Sequence, residues 1–258
     1  MTSEVQINLT DGVLTVTLAR PEKKNALTNE MYRVLADTVE NAQQDRSVRA
    51  LLFQGDGDSF TAGNDVGEFA AVAAGQGPVE SQVFRFLRAL ANSTVPMVAA
   101  VNGKAVGLGT TLLLHCDYVV LAQDAKLITP FVNLALVPEA ASSYLLPLRV
   151  GHARAFEMFA LGEPIDAYTA LAWGIANKVC PDEHLRAEAR RMADLIAAKP
   201  PGSLAATKKL MRDAERLVAQ IDREGARFKE LLSSAEAREA ISAFAEKRKP
   251  DFSKLAKR

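Results

Sequence analysis

In the first half of the chain, apolar residues gather in short runs bounded by glycine, asparagine and aspartate, whereas in the second half they recur at helical spacing. The stretch VQINLTDGVLTVTLA (5–19) alternates apolar and polar positions around Asp11-Gly12, a pair that suits a tight turn, and predicts a hairpin. VRALLFQG (48–55) and VPMVAAVNG (95–103) are nearly continuous apolar runs and predict buried strands. From Asp166 onward, alanine-rich and charged segments such as DEHLRAEARRMADLIAAK (182–199) predict helices with one charged face, and Pro200-Pro201-Gly202 breaks that run before the last helices.

Two places combine an apolar run with a glycine turn and a helix start. The run AAVNGKAVGLGTTLLLHCD (99–117) predicts a buried strand, a turn and an apolar helix, with Lys104 its only cation. Upstream, Ala50-Leu51-Leu52-Phe53 leads through Gly55-Asp56-Gly57-Asp58 into SFTAGNDVGEF (59–69). Backbone N–H groups at such turns have no intrahelical acceptor, so they can hold an anion such as a thioester enolate. Gly103, Gly107 and Gly109 do not have the dinucleotide-binding spacing, and the sequence has no phosphate-loop motif. Asp65, three residues before Glu68, has the spacing of a capping box.

Paired turns of this kind resemble the oxyanion-hole loops of the crotonase superfamily, the enoyl-CoA hydratase and isomerase fold. The resemblance runs in order through LARPEKKNAL (18–27), TAGNDV (61–66), AVNGKAVGLG (100–109), TPFVNLALVPEAASSYLLPLRVG (129–151) and SAFAEKRKPDF (242–252). It implies an α/β fold, a spiral of β-β-α turns over residues 1–199 followed by a C-terminal helical region over 200–258 that makes trimer contacts. It also implies an acyl-CoA thioester substrate, with coenzyme A belonging to the substrate and no separate cofactor, and a homotrimer or dimer of trimers.

Carried over by position, the oxyanion hole would be the N–H groups of Asn64 and Leu108. CoA contacts would fall on Lys24, Ala26 and Leu27, on Ala62, Asp65 and Val66, and on Phe244 and Lys247 near the C-terminus. Lys24 or the adjacent Lys23 would meet phosphate, and Lys247 would do so from a neighbouring subunit or else simply end a helix in solvent. Hydratases of the superfamily carry two glutamates at positions occupied here by Thr111 and Phe131, neither of which can move a proton. Glu139, in LVPEAASS (136–143), stands where many relatives have glycine. On its own it reads as an acidic helix-start residue. Within the resemblance it matches the catalytic base of peroxisomal-type delta3,delta2-enoyl-CoA isomerases, and a ring-isomerising branch has aspartate there. The expected activity is therefore a shift of a 3-enoyl-CoA to the 2-trans-enoyl-CoA, with Phe131 and other apolar side chains excluding water. The alternatives are a hydratase with atypical acid and base groups, a ring-isomerising acyl-CoA enzyme, and a non-catalytic acyl-CoA-binding relative.

Composition narrows the remaining classes. The chain has 258 residues, 31 basic and 31 acidic side chains and 48% hydrophobic residues, a balance that gives no polyanion-binding footprint and predicts no nucleic-acid partner. No stretch reaches the roughly 20 apolar residues of a membrane span. MTSEVQINLT at the start lacks a signal-like run, and Ala256-Lys257-Arg258 is not a peroxisomal address, so a cytoplasmic location is expected. Cys116 and Cys180 read as buried thiols, and His115, His152 and His184 lack metal-site spacing, so no metal is expected. His115, at the end of an apolar helical run, reads as a hydrogen-bonded core or helix-end histidine. Alanine and glycine in FAAVAAGQGP (69–78) suggest a flap over the acyl pocket, whose shape would depend on Phe84, Phe86, Leu87 and Phe131.

Overall fold

The computed structural model describes residues 4–73, 76, 81–246 and 248–255. The expected hairpin forms from β1 (Val5–Thr10) and β2 (Val13–Leu18), with Thr10 opposite Val13. Asp11 and Gly12 both take positive φ (51° and 80°), which suits a two-residue turn matched to strand twist. Helix α1 (Asn29–Ala42) follows, capped by the Thr28 side chain, which accepts from the Met31 N–H.

From here the chain repeats one unit. β3 (Ala50–Gly55) is followed at once by β4 (Ser59–Thr61), β5 (Met97–Val101) by β6 (Lys104–Val106), and β7 (Tyr118–Ala122) by β8 (Lys126–Ile128). β9 (Ile165–Asp166) and β10 (Lys178–Cys180) close the series. The first strand of each pair joins a six-stranded sheet of order β1-β2-β3-β5-β7-β10, parallel beyond β2, and the second joins a four-stranded sheet of order β4-β6-β8-β9. The segments read from their residues as strand, turn and helix are thus strand-strand-helix, the β-β-α turn that the resemblance implies. At three residues each, SFT and KAV are too short to show an alternating pattern, and they form strands because each finds a parallel neighbour in the unit before or after it. Gly103 makes the stacking of units possible: its φ is +51°, and a Cβ there would lie 2.0 Å from the Asp58 carbonyl oxygen.

The central strands β3, β5 and β7 of the large sheet are buried on both faces, and every residue of β5 is inaccessible, which explains the uninterrupted apolar run. The remaining helices are α2 (Val66–Ala73), α3 (Gln82–Asn92), α4 (Leu108–Leu113), α5 (Ser142–Val150), α6 (His152–Leu161), α7 (Ala167–Ala172), α8 (Asp182–Ala197), α9 (Pro201–Met211), α10 (Ala214–Leu232) and α11 (Ala235–Ala245). α8 packs on β3, β5 and β7, while α1 packs on α3, which α10 crosses. Residues 69–73, expected to belong to a flap, are the end of α2, because the alanines there favour helix over loop. Residues 74–75 and 77–78 of that segment lie outside the described residues.

The C-terminal helices are tied to the sheet by buried charge. Lys208 of α9 donates to Asp117 Oδ2 at 2.6 Å and to the Val95 carbonyl at 2.9 Å, and the same Asp117 oxygen accepts from the Met97 N–H at 2.8 Å. Burial lowers the Lys208 pKa, and Asp117 opposes that shift. Cys116 and Cys180 are buried free thiols. No helix of the described residues is long and apolar enough to cross a membrane.

Candidate active site

The first turn is locked from the 20–27 loop. Asn25, fully buried, donates from Nδ2 to the Asp56 and Ser59 carbonyls, both at 2.8 Å, and accepts the Arg20 N–H on Oδ1. Thr61 Oγ1 donates to the Asn25 carbonyl and accepts from the Gly63 N–H. Leu27 then bridges this turn in parallel, its N–H donating to the Gly63 carbonyl at 2.8 Å and its carbonyl accepting from the Asp65 N–H at 2.9 Å. That pattern steps over Asn64, whose N–H faces away from Leu27. Gly63 (φ +84°) allows the close approach of the second turn, since a Cβ there would sit 2.9 Å from the Val106 carbonyl oxygen.

At the second turn, Gly107 (φ 55°, ψ −114°) ends β6 and starts α4. Its N–H donates to the Ile128 carbonyl, and its carbonyl accepts from Thr110 and Thr111. Leu108 is the first residue of α4, so its N–H precedes the first intrahelical acceptor. Asn64 and Leu108 line one cavity of about 390 Å³, together with Ala62, Phe131, Phe244 and Glu139. Glu139 is the only carboxylate among its lining residues.

Glu139 stands before α5 rather than in it. The N-cap is Ala141, which makes no side-chain cap, so the helix-start role read from sequence does not hold for Glu139. Its Oε1 is buried with no hydrogen-bond partner among the described residues. Burial, and then the neighbouring carboxyl of Glu224, push the Glu139 pKa up to about 8. A second cavity of about 230 Å³ adjoins, sharing Asn64, Phe69, Phe228 and Glu139 with the first and adding Tyr32 and Phe84. Tyr32 donates to Asn64 Oδ1. Burial raises the Tyr32 pKa well above its usual value, and Glu139 adds to the rise.

Not every residue implicated by the resemblance reaches the cavity that Asn64 and Leu108 line. Leu27 and Asp65 line the second cavity. Lys24, exposed, pairs with Asp58 at 2.5 Å, and Ala26 offers its carbonyl to Arg20. Val66 opens α2, and Lys247 lies outside the described residues. Asp65 does cap α2, accepting from the Gly67 and Glu68 N–H groups, while its other oxygen pairs with Arg20 at 2.7 Å. The reciprocal half of the capping box is absent, because Glu68 turns instead to the Asn29 N–H at 2.6 Å. Phe86 and Leu87 are wholly buried core rather than pocket wall. At the positions of the hydratase glutamates, Thr111 is fully buried with its hydroxyl toward the Leu108 carbonyl, and Phe131 packs on Phe159.

Sequence reasoning missed Glu224, Phe228 and Ile241, which α10 and α11 bring to the site. One signal was present: Leu217, Ile221, Glu224 and Leu232 share the buried stripe of α10, and a carboxylate on such a stripe needs a partner.

The enoyl-CoA hydratase/isomerase family model matches residues 8–255. The chain belongs to this family of enzymes. It is 37% identical over 248 residues to the 1,2-epoxyphenylacetyl-CoA isomerase of Escherichia coli (strain K12), covering 93% of this chain and 95% of that protein. It is 35% identical over 209 residues to enoyl-CoA delta isomerase 2 of Rattus norvegicus, covering 80% of this chain and 53% of that protein. Proteins named as hydratases stand at similar identity. The crystal structure of an enoyl-CoA hydratase/isomerase from Pseudoalteromonas atlantica T6c superimposes with a TM-score of 0.92 at 43% identity, over 97% of this chain and all of that one. The crotonase fold, with its mixed sheets and C-terminal helices, is therefore this family's fold in this chain.

Proposed function

We propose that this family member is a double-bond isomerase, converting a 3-enoyl-CoA to the 2-trans-enoyl-CoA with Glu139 as the proton shuttle. One observation carries the reading: Glu139, whose buried Oε1 has no hydrogen-bond partner among the described residues, lines the same cavity as Asn64 and Leu108, with no second carboxylate among that cavity's described lining residues. Glu139 takes a proton from C2. The C–H electron pair becomes the C1–C2 double bond, and the thioester oxygen takes the negative charge, which the two N–H groups stabilise. The carbonyl then re-forms, the double bond settles between C2 and C3, and C4 takes the proton back from Glu139. A raised pKa suits this task, since it makes the carboxylate a stronger base for a weak carbon acid. Hydration would need a water both oriented and deprotonated, and Thr111 and Phe131 supply neither group.

The 37% identity to a protein named 1,2-epoxyphenylacetyl-CoA isomerase favours a second reading, a ring-isomerising reaction at the same carboxylate. Phe69, Phe131 and Phe228 around the cavity suit a flat acyl group. CoA would lie along Lys24, Ala26, Ala62, Val66 and Phe244, with Lys247 toward its phosphates. Exposed Leu148, Phe156, Leu210 and Met211 on the helices suit burial in a homotrimer or dimer of trimers. Product analysis with 3-enoyl-CoA, 2-enoyl-CoA and the ring epoxide thioester, using wild type and Glu139→Gln, tests these readings together. Conversion of the 3-enoyl ester that is lost in the variant is the expected result. Hydration of the 2-enoyl ester overturns the isomerase reading.

A further inference from the structure

We propose that Glu224 is a positioning residue for the Glu139 carboxylate, gripping from α10 the turn that carries it, against an opposing grip by His115. This role presupposes Glu139 as the base. Ala140 and Ala141 follow Glu139 with φ of 63° and 54°, a left-handed pair that side-chain-bearing residues rarely adopt. Ala141 caps α5 without any side-chain bond, so the first N–H groups of that helix need an acceptor from elsewhere.

Glu224 is that acceptor, although it lies far along the chain. Its Oε2 accepts the Ala141 N–H at 2.7 Å, and its Oε1 accepts the Ser143 N–H at 3.0 Å and the Ser143 hydroxyl. Gln220, one turn earlier on α10, donates to Ser143 Oγ at 2.9 Å. Across the turn, His115 Nε2 meets the Ala140 carbonyl at 2.7 Å, and its Nδ1 meets the Arg212 guanidinium. Arginine only donates, so Nδ1 is the acceptor and Nε2 carries the proton. The Ala140 carbonyl and the Ala141 N–H belong to one peptide group. That group is therefore held at its oxygen by His115 and at its hydrogen by Glu224, which fixes the second peptide plane after Glu139, with only the Glu139–Ala140 peptide between them.

Glu224 also places a second carboxyl near Glu139. The other ionisable groups sharing a cavity with Glu139 are Tyr32 from α1, Asp65 and Glu68 at the start of α2, Lys229 from α10, and Arg248. The test leaves all of them in place.

Glu224→Gln in the full chain keeps the size of the side chain but turns an NH2 group toward one of the donors. With 3-enoyl-CoA, kcat is expected to fall at least tenfold while KM stays within threefold. The acid limb of kcat/KM is expected to move to lower pH, because a negative neighbour of Glu139 is gone. Ser143→Ala, a milder cut in the same grip, should lower kcat severalfold and decides the matter should Glu224→Gln not fold. Hydrogen exchange of the peptide spanning residues 139–146, without substrate, should quicken in Glu224→Gln. A folded Glu224→Gln with unchanged kcat, or with a loss confined to KM and an unmoved acid limb, overturns the positioning role. Glu139→Gln separates the two claims: if that variant stays active, Glu139 is not the base, and unchanged exchange in Glu224→Gln would then remove the grip as well.

Discussion

The two turns proposed as the oxyanion hole and the Glu139 turn meet at one cavity but are built on opposite principles. The former are made of backbone: Asn64 and Leu108 contribute N–H groups fixed by a bridge to Leu27 and by the start of α4, so their side chains are secondary. The latter is made of side chains: a left-handed pair of alanines held by Glu224 and His115, residues from distant segments. Charge stabilisation can thus be inherited by every member of a family whose sheets are intact, whereas proton chemistry depends on a few side chains that can change independently. On the proposed function, this difference would let relatives named as a hydratase, a delta isomerase and a ring-epoxide isomerase share one fold with this chain.

The largest expected effect comes from removing the proposed proton carrier. Glu139→Gln should lower kcat for 3-enoyl-CoA isomerisation by about a hundredfold to ten-thousandfold, with acyl-CoA affinity preserved, as stopped-flow kinetics and calorimetric titration would show. In wild type, kcat/KM should rise with pH through about 8, because in the proposed reaction Glu139 is deprotonated when it accepts the C2 proton. Activity insensitive to pH across the region around 8 would mean that another group sets the rate.

The backbone half of the comparison predicts a sharper dependence on N–H than on side chain. Leu108→Pro deletes the donor at a helix position where proline is tolerated, and should cost about a hundredfold to a thousandfold in kcat. Leu108→Met keeps the donor and nearly the volume of a buried side chain, so its kcat should stay within a few-fold of wild type. Equal losses in the two variants, measured side by side with thermal unfolding, would show that packing rather than the N–H matters at this position.

Stability should carry the opposite sign at the Glu139 turn. The folded-state pKa lies above the ordinary 4.5, so the folded protein binds this proton more tightly. The contribution is fully present below about 4.5 and is lost as pH rises toward 8, where a buried charge must be tolerated. Glu139→Gln should therefore be more stable than wild type at pH values near and above 8, by on the order of a few kcal/mol and so with a higher unfolding temperature, the gap closing in acid. A variant less stable than wild type at alkaline pH would contradict the burial of an unpaired carboxyl.

The same division decided what could be read from sequence. The backbone turns were legible because glycines at fixed offsets and the NAL loop are local signals, and the apolar runs of β3 and β5 announced a sheet buried on both faces. β4 and β6 were not, since three residues cannot display a period. Asp65 was legible as a cap, but Glu68 was misassigned because its partner, the Asn29 N–H, sits on another helix. Glu139 could be picked out, yet nothing near it in sequence tells that its turn is left-handed. The groups that hold it arrive from α10 and from the end of α4, and only packing brings them together.

The smallest expected effects lie at the rim of the first turn, where two acidic side chains differ in what they touch. Asp65 is about one-fifth exposed, caps α2 and pairs with Arg20. Burial raises its pKa, but the Arg20 and backbone hydrogen bonds outweigh that, and the net shift is downward. Its contribution is thus present above the ordinary carboxylate range and lost as pH falls through the lowered value. Asp65→Ala should cost about 1 kcal/mol, the usual worth of a helix cap, with kcat nearly unchanged because the Asn64 N–H is held by the Leu27 bridge and not by this side chain. Asp58, by contrast, meets Lys24 in an ion pair with both partners mostly in solvent, so Lys24→Ala should leave thermal stability unmoved. If Asp65→Ala instead depressed kcat as strongly as Leu108→Pro, the first turn would owe its N–H geometry to side chains after all, and the contrast with the Glu139 turn would narrow to one of degree.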